Sequence, residues 1–106
     1  MSRLSPEEIQ RLVDRIVLRT RPKKVVVFGS YAKGAATSDS DLDIMLVQDT
    51  DLPMARRADD LAPLLSSGWI SVDVHVYTPD EVEEYAKDRF SFVSSALASG
   101  KTAFEA

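Results

Sequence analysis

Three aspartates stand where carboxylates can act together. In the segment Asp41–Val47 (DLDIMLV) the acids fall at i and i+2. On a strand that spacing puts Asp41 and Asp43 on one face, about 6–7 Å apart. In Ile70–Tyr77 (ISVDVHVY) strict alternation places Val72, Val74 and Val76 on one face. Ser71, Asp73, His75 and Tyr77 share the other. If both apolar faces meet one helical layer, Asp41, Asp43 and Asp73 all point to the opposite side. If the two strands are neighbours, Asp73 comes within about 5 Å of one of the pair. Carboxylates so gathered repel one another unless a cation lies between them. Magnesium takes such oxygen ligands and shares them with substrate phosphates. Two such ions about 4 Å apart are a known device for in-line phosphoryl or nucleotidyl transfer.

A second group lies just upstream. Gly29-Ser30 follows the short β-branched run Lys24–Phe28 (KVVVF). Glycine permits a tight turn and close approach of a phosphate to the backbone. Backbone N–H groups and the Ser30 hydroxyl can donate to phosphate oxygens there. Lys33, and the N-terminus of a short helix after Ser30 if one forms, would add positive field. Tyr31 adjoins this stretch and is expected to pack, the alternatives being to line the nucleotide pocket or to accept the transferred nucleotidyl group itself. His75, on the aspartate face, is expected to be a hydrogen-bonded structural residue rather than a nucleotide contact, and Trp69 to plug the edge of the core rather than stack on a base.

These groups need elements to position them. Ser5-Pro6-Glu7-Glu8 opens a helix, with Ser5 as N-cap, Pro6 in the first turn and Glu8 closing a capping box. Ile9, Leu12, Val13, Ile16 and Val17 recur at helical spacing, and the helix is expected to stop before Pro22. Lys24–Phe28 reads as a buried strand, residues 31–40 as a loop or short helix, and Asp41–Val47 as a second strand. Leu52 to Ser67 reads as a helix with Leu61, Leu64 and Leu65 inward, which Pro63 kinks or splits. Gly68-Trp69 leads into the third strand, Ile70–Tyr77. Thr78-Pro79-Asp80-Glu81 starts another helix. A last helix is expected through Phe90–Ala98, ending at Gly100. Phe90, Phe92, Val93 and Leu97 belong either to the core or to a partner surface.

Composition sets the outer bounds. The 106 residues are 44% hydrophobic and 28% charged, as expected for one globular domain spanning 1–106. The absence of cysteine excludes a disulfide framework and a thiol nucleophile. No apolar run is long enough for a membrane helix, and the first residues lack a secretory core, so a cytoplasmic location is expected. The net charge of −4 disfavours direct nucleic-acid binding. The charge is uneven: residues 1–37 carry eight Lys or Arg against three acids, and the remainder five against fourteen.

Gly29-Ser30, ten intervening residues and Asp41-Leu42-Asp43 together resemble the Gly-Ser-x10-Asp-x-Asp pattern of the DNA polymerase β-like nucleotidyltransferases. The string GSYAKGAATSDSDLDIMLV is similar to the minimal nucleotidyltransferases in particular, and the likeness runs from about Lys23 to the C-terminus. Alone, Gly29-Ser30 is an ordinary turn signature and the aspartate pair a solvated strand face. Strand, turn, spacing and face agreeing at once is far more specific. The resemblance implies an α/β (α+β) fold with a small mixed sheet flanked by helices. It implies that Gly29, Ser30 and Lys33 bind the triphosphate of ATP. It implies that Asp41, Asp43 and Asp73 are catalytic and hold magnesium, two ions being expected, with Asp73 nearer the acceptor. It further implies a type VII-like antitoxin that transfers AMP to a tyrosine of a cognate HEPN-domain toxin in a hetero-complex. Lys33 stands where the family often has arginine, and Ala35-Ala36-Thr37 where a second basic residue is common, which removes one phosphate contact. Two other functions stay open at this point: an antitoxin acting by contact alone with an idle nucleotide site, and a nucleotidyltransferase for a small-molecule acceptor.

Overall fold

The structure is a computed structural model, in which residues 4–37, 40–65 and 71–106 are described. Its first helix, α1, spans Pro6–Thr20. The Ser5 side chain accepts from the Glu8 N–H, and the Glu8 carboxylate accepts from the Ser5 N–H. Two otherwise orphaned donors are thereby satisfied. At the other end Arg21 turns left-handed, with φ 49°, and its N–H donates to the Val17 carbonyl. Pro22 follows and forbids continuation. Val13 and Ile16 are fully buried on the apolar stripe.

Four strands form one mixed sheet: β1 (Lys24–Phe28), β2 (Leu42–Val47), β3 (Val72–Tyr77) and β4 (Lys101–Glu105), in the order β3-β2-β1-β4. β1 is antiparallel to β2 and to β4, whereas β2 and β3 are parallel. A parallel neighbour needs a long crossover. The chain from Gln48 to Ser71 supplies it and lays Leu61 against the α1 side of the sheet.

Both faces of the sheet are covered, and alternation sorts the side chains between them. Val25, Val27, Leu42, Ile44, Leu46 and Val76 meet Val13 and Ile16 of α1. Val26, Met45 and Val47 meet Val93 and Ala96 of the last helix. Each of these valine, leucine, isoleucine and methionine side chains, fully buried, contributes about 1.5–3 kcal/mol. The register of β2 is therefore strongly specified, because a one-residue slip would turn Asp43 into the α1-side core.

Three expectations are corrected. The helix over Leu52 to Ser67 does not form. Its described part is two 3₁₀ turns, Met54–Arg56 and Asp59–Leu61, and one helical turn, α2, at Ala62–Leu65. Pro63 lacks an N–H and fits only a first turn, so it restarts the helix rather than continuing it. The Arg57 guanidinium also draws the segment aside. It donates to the Leu52 carbonyl at 2.9 Å, to the Val76 carbonyl at 3.2 Å and to both Glu81 carboxylate oxygens at 2.6 and 3.1 Å. Leu61 is buried as expected, while Leu64 and Leu65 are half-buried. The expectations for Ser66, Ser67, Gly68, Trp69 and Ile70 lie outside the described residues.

The second correction concerns the C-terminal helices. α3 (Pro79–Ala86) begins as expected, with Thr78 and Glu81 in a capping box. α4 spans Phe92–Ser99 and starts two residues later than Phe90, because the Ser91 side chain accepts from the Ser94 N–H and caps it there. Gly100 follows at φ −85°, so no left-handed conformation requires glycine. Close approach does: a Cβ there would overlap the Ala96 carbonyl oxygen and Val26 Cγ1. Third, β4 was not foreseen at all, and it occupies the edge beyond β1.

Candidate active site

The register of the parallel pair decides the geometry of the carboxylates. Asp43 stands opposite Asp73 across β2 and β3, and opposite Phe28 across β1 and β2. Adjacent strands lie about 4.8 Å apart, so the two aspartates are immediate neighbours on one face. The Leu42 N–H donates to the Ser71 carbonyl at 2.9 Å and holds this end of the pair together. Asp41, expected inside the second strand, stands just before β2 and is exposed, as is Asp73, whereas Asp43 is half-buried. Burial, then the charges of Asp73 and Asp41, push the Asp43 carboxyl above its usual range, with His75 pulling the other way. Among the described residues no basic group forms an ion pair with these three aspartates.

The turn after β1 reaches the same spot. Gly29 adopts φ +75°, and a Cβ there would overlap Asp43 Oδ2. The glycine backbone thus lies directly against the carboxylate. From Gly29 to Gly34 the chain makes hydrogen-bonded turns, with Lys33 N–H to the Gly29 carbonyl at 3.2 Å and Ala35 N–H to the Ser30 carbonyl at 2.9 Å. No helix forms over these residues, so the alternative of a short helix, and its positive N-terminus, drops out. Ser30 is half-buried and Lys33 exposed. Tyr31 turns to the other side of the sheet, where its ring packs on the α1-side core and its hydroxyl accepts from the Leu4 N–H at 3.0 Å.

Aromatic rings border the aspartates. His75 packs between Phe92, at 4.7 Å between centroids, and Phe28, at 5.9 Å. Phe28 and Phe92 meet edge to face at 5.2 Å. Tyr77 extends the group toward Tyr85. Ring packing holds His75 in place on the aspartate face. The clustering of Phe28 with Phe92 was not read from the sequence. Alternation puts Phe28 on the aspartate face of β1, but nothing local says that α4 crosses above it.

The donor set is all oxygen and hard, as magnesium requires. As placed, no three His, Asp or Glu side chains among the described residues stand close enough together to hold a metal ion. The mutual repulsion on Asp43 is the imbalance that a divalent cation would relieve. A cavity of about 180 Å³ lined by Arg15, Arg19, Asp60, Pro63 and Leu64 lies away from the aspartates, beside α1.

Comparison with known proteins gives the family and the fold. A family model described as "Nucleotidyltransferase domain" matches residues 7–100. "Putative protein adenylyltransferase MJ0604" of Methanocaldococcus jannaschii is 54% identical over 33 residues, 31% of this chain and 33% of that protein. The match thus spans a third of that relative's length. Among solved structures, a toxin–antitoxin with AMP-PNP superposes with a TM-score of 0.64 at 21% identity, covering 92% of this chain and 73% of the other. A mutant of the toxin–antitoxin MntA-HpeT superposes at 0.59 with 22% identity, covering 98% and 75%. At these identities the superpositions establish the fold, a polymerase β-like α/β arrangement with a mixed four-stranded sheet.

Proposed function

The chain belongs to the nucleotidyltransferase domain family, and from that premise we propose that it transfers AMP from ATP to a protein hydroxyl, a tyrosine of a HEPN-domain toxin, and serves as the antitoxin. The observation that carries the reading is Asp43 beside Asp73 in register, with Gly29 against the Asp43 carboxylate. The names of the similar proteins support the finer parts: one is described as a "Putative protein adenylyltransferase", another as a toxin–antitoxin with AMP-PNP.

Each residue has a part in this reading. Ser30 and the backbone of Gly29 donate to phosphate oxygens, and Lys33 adds a positive charge to the triphosphate. Asp41, Asp43 and Asp73 would hold magnesium once their side chains turn toward one another, and the bound ion would draw charge from the triphosphate and acidify the attacking hydroxyl. A tyrosine hydroxyl, with pKa near 10, is a poor nucleophile until its proton is drawn off. Asp73, exposed at the rim, accepts that proton. The hydroxyl oxygen bonds to the α-phosphorus, the α–β bridging bond breaks, and pyrophosphate leaves with the bond electrons. No helix among the described residues is long and apolar enough to cross a membrane, and a cytoplasmic location is part of the proposal.

Intact mass spectrometry tests the proposal. The protein is incubated with ATP, magnesium and a HEPN-domain protein encoded beside it. The expected result is a gain of one or more AMP masses on the partner, lost in Asp41→Ala and Asp43→Ala. A stable, inhibited complex with no mass gain would replace the proposal with a contact-only antitoxin. Transfer to small hydroxyl compounds but not to the partner would replace it with a small-molecule enzyme.

A further inference from the structure

We propose that Phe28, His75 and Phe92 form the platform on which the nucleobase of the bound nucleotide stacks, Phe92 offering the solvent-facing ring. This rests on the nucleotidyl-transfer reading above and adds to it the place of the base. Phe28 shares its row of the sheet with Asp43 and Asp73. His75 lies two residues further along β3, one strand repeat or about 6–7 Å from Asp73 on the same face. A ribose bridges a gap of that order between a phosphate at the aspartates and a base over the rings.

The planes of the three rings meet at 51°, 81° and 46°, so no two of them are stacked face to face, and Tyr77 flanks Phe92 at 6.2 Å and 31°. Phe92 remains 41% exposed although it packs against both of the others. The core beneath is already closed by Val26, Met45, Val93 and Ala96, so sealing it does not require a half-exposed ring at this position. A neutral π-face also suits this place electrostatically. Beside three mutually repelling carboxylates, stacking holds a base without adding charge, and every base has a face to offer.

Titration calorimetry in magnesium buffer tests this, with ATP and inorganic tripolyphosphate as the two probes. Three forms of the full chain are compared: wild type, Phe92→Leu and Phe92→Trp. Leucine keeps apolar packing and removes the π-face, whereas tryptophan keeps the face. The expected result is that Phe92→Leu weakens ATP about tenfold or more and leaves tripolyphosphate within about twofold, while Phe92→Trp binds both as wild type does. A purely structural role for Phe92 would lower the melting temperature and weaken both probes alike, which would overturn the platform. Unchanged ATP binding in Phe92→Leu, with or without loss of transfer to a protein acceptor, would also overturn it and leave the transfer reading standing. Wild-type protein that binds neither probe would overturn both.

Discussion

Gly29→Ala asks whether the turn after β1 and the carboxylate of β2 are one mechanical unit. At φ +75° an added Cβ crowds its own backbone, a left-handed strain of about 1–2 kcal/mol. The same Cβ would overlap Asp43 Oδ2 and approach Asp43 Cγ to 3.4 Å. The β2 backbone is paired on both sides, so the strand cannot retreat and the carboxylate must swing out of its rotamer. That adds about 0.5–1.5 kcal/mol. The single substitution is therefore expected to destabilise by about 2–3 kcal/mol in urea unfolding. In an Asp43→Ala background Oδ2 and Cγ are gone, and only the left-handed strain remains. A double-mutant cycle should return a coupling of about 1 kcal/mol between the two positions. A coupling within about 0.3 kcal/mol of zero, with unchanged denaturant slopes, would refute the claim that the glycine is required by the carboxylate.

Other perturbations follow from the same geometry. Arg57→Ala removes a guanidinium with a side chain only 10% exposed and strips Glu81 of its bidentate partner, so unfolding in urea should show a loss of about 2–4 kcal/mol. The hydrogen bond from Arg57, then that from the Thr78 backbone, holds the Glu81 carboxyl below its ordinary 4.5. A lowered folded-state value stabilises fully above 4.5 and fades as pH falls through it, so Glu81→Gln should flatten the stability profile in that acidic range. Asp43→Asn removes a half-buried charge facing Asp73 and Asp41, so metal-free protein at neutral pH should melt at a higher temperature while AMP transfer is lost. Gly100→Ala drives a Cβ toward the carbonyls of Ala96 and Val27, neither of which can yield, and should destabilise by about 1–3 kcal/mol in the same unfolding assay.

Much of the positioning frame is legible because its signals are local. Ser5 with Glu8, and Thr78 with Glu81, each place a capping box within one turn, and both helices begin where those residues say. The β-branched run Lys24–Phe28 is a strand with the boundaries read from it. Leu42, Ile44, Leu46 and Val76 are buried against α1, and alternation then places Asp43 and Asp73 together on the opposite face. The failures share a cause. Leu52 to Ser67 has helical spacing, but Arg57 finds its partners on β3 and α3, far along the chain. β4 has too little apolar content to announce itself, and forms because the edge of β1 is open to it. Phe92 stands over His75 only because α4 crosses the sheet there.

What the sequence determined by itself was therefore the type of each group and the face it occupies: Asp43 and Asp73 on one side of two strands, and a glycine-serine turn at the end of a third. Those are matters of period and steric freedom, settled within a few residues. The tertiary structure decided which strands are neighbours, and with it that Asp43 meets Asp73 in register, that Gly29 presses on Asp43, and that Tyr31 turns away to Leu4. Pairing and packing bring together residues far apart in the chain, and their free energy depends on surfaces that exist only once the sheet has assembled.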